Sequence, residues 1–378
     1  MKTRNRTFAF TPVVFVAAAL GACSPVETPA PPIDYSVPGP SAVGHVRTVI
    51  IDRGGTRHLP VEIWYPAARS TADGGVPAQA IEDFEPPGAD HDALVAMLAT
   101  TPPDCTRRRM SALPDAAPLD GTWPLVIFSH CSECVRFSSY SIAERLAARG
   151  IAVAAPDHLG NTVYASDATL DEAHLAIRAA DVSSVIDALL DGARAEVPAM
   201  LRGRFRADRV GVMGHSFGGA TVGRVLGTDA RVLAGLSIAA PMDSPLLDPG
   251  GLDKIKQPTL FLLAVEDNSI LAIGNYYLRD NASLAPTPSW LVEVADAGHW
   301  SFSDIAGLGG RFLAGCGMGM RQTKPSETFT YLDNTKARDI ASVYADAFFG
   351  RFLAGDESAS AFLDSAAVSP SAKATARH

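Results

Sequence analysis

One serine of the sequence lies in a setting that favours nucleophilic chemistry. Ser216 is the central residue of GHSFG (214–218), which matches the pattern Gly-x-Ser-x-Gly. The apolar run RVGVMG (209–214) predicts a buried strand, and the small residues 219–223 predict a helix that packs closely against it. A sharp turn between strand and helix exposes the hydroxyl, as in a nucleophile elbow. The alternative is a glycine-rich turn with an idle serine, and the context favours the nucleophile.

A serine nucleophile needs a base that removes its proton, and histidine is the usual one. His299 lies in DAGHW (296–300), directly after the last predicted strand of the sheet. A loop in that position returns to the sheet edge that also carries the elbow. His215 is too close along the chain to fold back onto Ser216. We therefore expect His299 to be the base, the alternative being an ordinary core or surface histidine.

The base in turn needs an acid that orients its ring. Asp267 ends the strand-like segment PTLFLLAVED (258–267), so its carboxylate is expected beside His299. Asp243, which follows the strand-like LAGLSIAA (233–240), and Glu266 remain alternatives. The order Ser, Asp, His along the chain is that of α/β-hydrolases.

Acyl transfer by such a triad places negative charge on the carbonyl oxygen, which backbone amides stabilise. One amide should come from Phe217, the residue after the nucleophile, and another from the turn after LVIFSH (125–130). Trp300, Phe137 and Phe217 are candidates for lining an apolar acyl pocket, with a place in the core as the alternative for each. The chemistry needs no cofactor and no metal.

Strand-like and helix-like segments alternate from residue 125 onward. This alternation predicts an α/β fold with a mostly parallel central sheet flanked by helices. Before it, HVRTVIID (45–52) and LPVEIWYP (59–66) predict two antiparallel strands. Residues 67–122, rich in Pro, Ala and Asp, predict an insertion that forms a flap or wall over a site, with one helix over 90–99.

The first residues predict an export signal. Three cations precede an apolar stretch over 7–20, and the stretch closes with Leu-Gly-Ala before Cys23, which resembles the bacterial lipobox. We expect a lipoprotein signal peptide over 1–22 and lipidation of Cys23, the alternative being an ordinary signal peptide. Ser24 after the cysteine favours the outer membrane, facing the periplasm or the cell surface. The sequence further predicts a Pro-rich linker over 23–42, a catalytic domain over 43–355 and a disordered tail over 356–378.

Composition excludes other classes of protein. The 378 residues are 47% hydrophobic and 19% charged, which predicts a folded chain of one large domain or two small ones. The formal charge of −9 argues against a nucleic-acid partner, because a phosphate backbone attracts a basic surface.

Four cysteines besides Cys23 form an even set in an exported chain: Cys105, Cys131, Cys134 and Cys316. They predict two disulfides with three possible connectivities. Redox chemistry or a metal pair at the CxxC is the less favoured alternative. We expect the bridges to brace the turn after LVIFSH against the insertion or against the glycine-rich loop 306–320.

Four segments resemble a known family: LVIFSHCSECVRFSSYSIAERLAARGIAVAAPDHLGN (125–161), GHSFGG (214–219), PTLFLLAVED and DAGHW. They are similar to bacterial dienelactone-hydrolase-like and platelet-activating-factor-acetylhydrolase-like esterases, and more loosely to cutinases and polyester hydrolases. The likeness covers about residues 43–353 and implies the α/β-hydrolase fold. It also implies that Ser132 gives the second oxyanion amide, although relatives usually have glycine where Cys131 stands.

The expected protein is an exported, lipid-anchored serine ester hydrolase that forms an acyl-enzyme with short to medium acyl groups. Its substrate would be a small-molecule or lipid ester, and its contact with a membrane would be through the lipid anchor. Alternatives are a phospholipid hydrolase of the platelet-activating-factor type, a polyester hydrolase, or a binding lipoprotein without activity. Dienelactone hydrolysis is disfavoured because that activity uses a cysteine where this chain has Ser216.

Overall fold

The structure, a computed structural model, describes Met1 and residues 33–69, 79–105, 107, 109–245, 247, 251–365 and 369–378. Contacts divide the chain into two units, Met1–Pro32 and Ile33–His378, and the second contains the fold. The predicted signal peptide, the lipidation site Cys23 and the first part of the predicted linker lie outside the described residues.

Within the described residues, one sheet has ten strands: β1 (Ala42–Ile51), β2 (His58–Ala67), β3 (Leu113–Pro114), β4 (Trp123–Ser129), β5 (Ala152–Pro156), β6 (Phe205–His215), β7 (Val232–Ile238), β8 (Thr259–Ala264), β9 (Ser289–Val294) and β12 (Ala372–Arg377). Their spatial order is β12-β9-β8-β7-β6-β4-β5-β2-β1-β3. The remaining pair, β10 (Met318–Met320) and β11 (Thr328–Thr330), forms a separate antiparallel hairpin.

Six neighbouring strands in the middle of the sheet are mutually parallel; in spatial order they are β5, β4, β6, β7, β8 and β9. Their carboxyl ends therefore meet at one edge, where ligands of open α/β sheets bind. The predicted hairpin is confirmed, since β1 pairs antiparallel with β2 and β2 pairs antiparallel with β5. This architecture confirms the predicted α/β-hydrolase fold.

Helices cover both faces of the sheet. They are α1 (Ala89–Ala99), α2 (Tyr140–Ala148), α3 (Glu172–Leu190), α4 (Phe217–Thr228), α5 (Leu271–Leu284), α6 (Asn334–Phe349) and α7 (Ala359–Leu363). Side chains alternate across the strands, so Val126 and Phe128 of β4 share a core with α2 and α6. Leu125 and Ile127 of the same strand share the opposite core with α3, α4 and α5. This period of two on a strand buried on both faces is what a parallel sheet requires.

The folded domain extends at both ends beyond the predicted boundaries, residues 43 and 355. Tyr35, within the predicted linker, is 2% exposed and packs against Phe362. The predicted disordered tail is wrong, because residues 356–378 contain α7 and β12. The reason is an open edge: β9 is paired on one side with β8, and β12 supplies the antiparallel partner on the other.

A search of the described residues finds no helix that is both long enough and apolar enough to span a bilayer.

Candidate active site

Ser216 lies at the sharp turn between β6 and α4. Its backbone has φ 56° and ψ −123°, a conformation that a residue with a side chain adopts only when its surroundings enforce it. Its N–H donates to the carbonyl oxygen of Ile238 at 2.9 Å, and its own carbonyl accepts from Gly219 N at 2.7 Å. The serine is thus held out from the end of the strand.

The two glycines that flank the serine are required by close backbone contact. A Cβ on Gly214 would lie 2.2 Å from the carbonyl oxygen of Gly218, and one on Gly218 would lie 1.9 Å from that of Ser129. Because real Cβ atoms do not approach so closely, larger residues would force the turn apart. The Gly-x-Ser-x-Gly pattern therefore has a steric cause in this chain.

Asp267 and His299 contact each other in the interior. Oδ2 of Asp267 lies 2.7 Å from Nδ1 of His299, and the side chains are 0% and 1% exposed. The other carboxylate oxygen accepts the backbone N–H groups of Ser269 and Ile270 at 2.9 and 3.0 Å. An Asp acceptor at Nδ1 selects the tautomer that carries its proton there, which leaves Nε2 as the basic nitrogen.

The two alternative acids, both within the described residues, have other partners. Asp243 accepts the backbone N–H of Leu252 at 3.2 Å. Glu266 accepts from Nη1 of Arg321 at 3.0 Å. The same guanidinium nitrogen donates to Asp296 at 2.7 Å, so Arg321 joins the end of the Asp267 strand to the loop that leads to His299.

The loop that carries His299 is anchored by a second loop. Trp300 N donates to the carbonyl of Ala314 at 2.9 Å, and the hydroxyl of Ser301 donates to the carbonyl of Gly315 at 2.9 Å. The Trp300 ring packs edge-on against the His299 imidazole, with centroids 4.7 Å apart. These contacts hold the main chain next to His299 and one edge of its ring environment in place.

The two residues that are expected to supply oxyanion amides both lie beside Ser216. Phe217 is the first residue of α4, where N–H groups lack partners within the helix. Ser132 lies in the turn after β4, and its hydroxyl accepts from Nδ2 of Asn161 at 3.1 Å. Both residues line the same cavity as Ser216.

Both disulfides lie close to these loops. Cys131 is bonded to Cys134, so this bridge closes the turn around Ser132 upon itself. Cys105 is bonded to Cys316, which ties the insertion to the glycine-rich loop. The expectation that a bridge joins the turn to either segment is thus wrong, because the two segments pair with each other.

A cavity of about 280 Å³ opens beside Ser216. Of the lining residues that the structure describes, none carries a charge: Ser132, Leu170, Ser216, Phe217, Ala220, Ala240, Pro241, Ser244, Leu247, Ile270, Ile273, Gly274 and Tyr277. The site therefore suits an uncharged, mostly apolar group.

Three expectations about the pocket are not met by the described residues. Phe137 lies in the core, 0% exposed and stacked on Phe84 with centroids 4.5 Å apart. Trp300 touches His299 but is not among the cavity residues, whereas Phe217 is. None of the described residues of the insertion lines this cavity either. The described part of the insertion supplies Phe84 to the core beside Phe137 and Cys105 to a small cluster with Trp300.

One wall of the cavity, formed by helix α5, was not predicted from the sequence. Ile273, Gly274 and Tyr277 of this helix line the cavity, and Leu170 and Leu247 come from loops. Small and apolar residues recur at a helical spacing in 271–284 and could have predicted a helix with an apolar face. Several of them are exposed, so this pattern does not identify the face that lines the cavity.

The fold and this site define an α/β-hydrolase with the residues of a serine hydrolase. Residues 174–331 match the family model "Platelet-activating factor acetylhydrolase, isoform II", a stretch that runs from α3 through β11 and includes Ser216, Asp267 and His299. The chain has the α/β-hydrolase fold, and its similarity to this family over residues 174–331 supports an ester-hydrolysing serine hydrolase.

A solved structure shares the fold. Ferulic acid esterase from Streptomyces cinnamoneus superposes with a TM-score of 0.60 at 24% identity, over 86% of this chain and 93% of that chain. A search of curated proteins found no significant match.

Proposed function

We propose that this protein is an exported serine esterase in which Ser216, His299 and Asp267 form the catalytic triad. The contact between Asp267 and His299 is the observation that carries the proposal. It involves the acid and base expected from the sequence, at the sheet edge where the strained Ser216 turn also lies. Phe217 and Ser132 are proposed to give the oxyanion amides.

The mechanism has two steps of acyl transfer. Nε2 of His299 takes the Ser216 proton while Oγ bonds to the ester carbonyl carbon, and the carbonyl oxygen becomes an anion held by the two amides. Collapse of this intermediate breaks the bond to the alcohol, which leaves with the proton from His299. Water then attacks the acyl-enzyme with His299 as base, which releases the carboxylic acid and restores Ser216. Asp267 stabilises the imidazolium in both steps.

The cavity supports carboxylic esters with short to medium acyl groups. Its volume of about 280 Å³ lies near the lower end of ligand pockets, roughly 300–1,000 Å³. Uncharged walls favour an alkyl or aryl group over an acid or an amine, because a charge would lose its water without gaining a partner.

Phospholipid esters of the platelet-activating-factor type are the second candidate, and the family match over 174–331 favours them. A polyester hydrolase and a binding lipoprotein without activity are the remaining alternatives. They differ in outcome: an enzyme for short phospholipids cleaves an sn-2 acetyl group, a polyester hydrolase clears a film, and a binding protein turns over neither.

Export and lipidation at Cys23 complete the proposal. It rests on the cations, apolar stretch and lipobox-like end of residues 1–23. Two paired disulfides in the domain are also typical of an oxidising compartment. We propose a lipid anchor in a bacterial outer membrane, facing the periplasm or the surface. Mass spectrometry of the N-terminal peptide tests it: a diacylated Cys23 supports the anchor, and an unmodified chain that begins elsewhere refutes it.

Hydrolysis of p-nitrophenyl esters from acetate to palmitate tests the esterase, with Ser216→Ala as the control. We expect activity on the shorter esters, a decline with chain length, and loss of activity in the variant. Labelling by a fluorophosphonate, which reports an activated serine, should disappear with it. Activity that persists in Ser216→Ala would contradict the assigned nucleophile, and the absence of both activity and labelling would favour a binding protein.

A further inference from the structure

We propose that Arg178 is a positioning residue of the oxyanion hole, whose buried positive charge favours the anionic intermediate of ester hydrolysis. This inference rests on the proposed triad. Arg178 is 2% exposed, lies on α3, and contacts the surroundings of both residues that are proposed to donate the amides.

Arg178 contacts the Ser132 side of the site through two routes. One Nη donates to the carbonyl oxygen of His130, two residues before Ser132. The other Nη donates to Oδ1 of Asn161, and Nδ2 of Asn161 donates to Oγ of Ser132 at 3.1 Å. A charged donor polarises the amide between them, so the chain Arg178–Asn161–Ser132 carries positive character to the cavity wall.

Arg178 also contacts the Phe217 side. Its guanidinium lies over the Phe217 ring, 4.9 Å from the centroid. Its Nε donates to the Thr221 hydroxyl at 3.3 Å, and that hydroxyl donates to the carbonyl oxygen of Phe217 at 3.0 Å. One side chain therefore holds both halves of the oxyanion hole.

The hydrogen-bond acceptors of Arg178 are neutral among the described residues. They are two hydroxyls, a backbone carbonyl and an amide: Ser129, Thr221, His130 and Asn161. Asp181, whose negative charge acts on Arg178, is hydrogen-bonded instead by Arg57 through two contacts of 2.8 Å and by His158 at 2.9 Å.

The two histidines of this region, His130 and His158, add no further positive charge. Burial keeps the pKa values of His130 and His158 well below 6.5, so both rings are neutral at pH 7. Burial lowers the pKa of Arg178 to about 9, still above neutrality, so the guanidinium is cationic.

A buried cation without a carboxylate partner is costly in the resting protein. When the ester carbonyl becomes an oxyanion, a negative charge forms beside Phe217 and Ser132. Arg178 contacts the Phe217 ring directly and Ser132 through Asn161. Charges interact more strongly away from water, and a fixed charge needs no reorganisation during the reaction. Arg178 therefore stabilises the intermediate more than the bound ester, and kcat should depend on it more than KM.

The test compares Arg178→Lys and Asn161→Asp with wild type in the full chain, with active sites counted by fluorophosphonate. Arg178→Lys keeps the charge but breaks the forked contacts. Asn161→Asp keeps the shape and gives Arg178 a carboxylate, so a loss of activity there cannot come from a destabilised fold if the unfolding midpoint is retained. Arg204→Lys is the matched control: Arg204 lies over the Trp123 ring and donates to backbone carbonyls, but at the opposite end of β6.

We expect kcat per active site on p-nitrophenyl butyrate to fall about 10- to 100-fold in both test variants, with KM within about threefold. Inhibition by an alkyl boronic acid, which forms a tetrahedral anion on Ser216, should weaken by the same factor. Arg204→Lys should match wild type. Test variants that keep kcat within twofold in an active protein overturn this inference alone. A wild type that neither hydrolyses esters nor reacts at Ser216 overturns the proposed function and this inference together.

Discussion

His215 donates a hydrogen bond from Nε2 to the backbone carbonyl oxygen of His299 at 2.8 Å. The residue before the proposed nucleophile thus holds the main chain of the proposed base, and the two imidazole rings lie 4.9 Å apart. His215 is 1% exposed. Burial, and secondarily the neighbouring His299, lower its pKa to about 3, so it is a neutral donor across the working range of an esterase.

This pKa predicts a specific dependence of stability on pH. Unfolded His215 has a pKa near 6.5 and takes up a proton that the folded protein does not, so stability is lost as pH falls below 6.5. Between about pH 6 and 4, wild type should lose roughly 1.4 kcal/mol per pH unit more than His215→Gln. Urea unfolding at several pH values measures this difference. Parallel pH profiles for the two proteins would show that His215 is not neutral in the fold.

The acid of the triad gives a prediction with two built-in controls. Asp267→Asn should lower kcat by about 10³- to 10⁴-fold, because an amide favours the wrong imidazole tautomer. Asp243→Asn should leave kcat within a few-fold, since its carboxylate holds a backbone N–H elsewhere. Glu266→Gln should have an intermediate effect at most, through Arg321. Steady-state kinetics on one ester decides, and an Asp243 variant as inactive as Asp267→Asn would contradict the assignment.

The two disulfides should separate stability from activity. The Cys105–Cys316 bridge closes a loop with a separation of 211 residues, worth about 5 kcal/mol in the chain-entropy model, whereas Cys131–Cys134 spans 3 and is worth about 2. Cys105→Ala/Cys316→Ala should mainly lower the unfolding midpoint. Cys131→Ala/Cys134→Ala should mainly lower kcat, because it frees the turn that carries Ser132. If Cys131→Ala/Cys134→Ala lost as much stability as the other double variant and kept its kcat, the bridge would not be needed to position Ser132.

Ile273 offers a test of the cavity. It lines the mouth and is 53% exposed, so a larger side chain there should not disturb the core. Ile273→Trp should shift the preferred p-nitrophenyl ester toward shorter acyl chains and lower kcat/KM for the longest active ester at least tenfold. Leu271→Trp, on the same helix, equally exposed and not among the lining residues, is the control. An unchanged chain-length profile in Ile273→Trp would place the acyl group elsewhere.

The parts of the site that could be predicted are those with a local signature. Glycine spacing around Ser216 reflects a steric requirement of the turn itself. Asp267 follows the apolar run of β8, and His299 follows β9, which is apolar except for Ser289 and Glu293. Their meeting follows from parallel topology, because the ends of such strands share an edge.

What could not be predicted depends on contacts between distant segments. Arg178 lies on a helix, where a single arginine normally indicates a solvent-exposed face, and only the fold shows it beneath the turn. The sequence around Phe137 is the same whether its ring faces a cavity or the core. Its place in the core follows from stacking on Phe84, a residue of the distant insertion. For β12 a weak signal existed, since Ala372, Ala374 and Ala376 alternate with polar residues, but alanine contributes little to such a pattern.

The last strand also has a practical meaning for how the protein is handled. β12 runs from Ala372, opposite Val294, to Arg377, opposite Ser289, and so covers the backbone N–H and C=O groups of β9. A chain shortened at residue 355 would leave the β9 edge unpaired and free to pair with the same bare edge of another shortened molecule. Aggregation of a truncated preparation would then report a missing strand, not an unstable enzyme, and purification tags belong after His378 rather than in place of the residues before it.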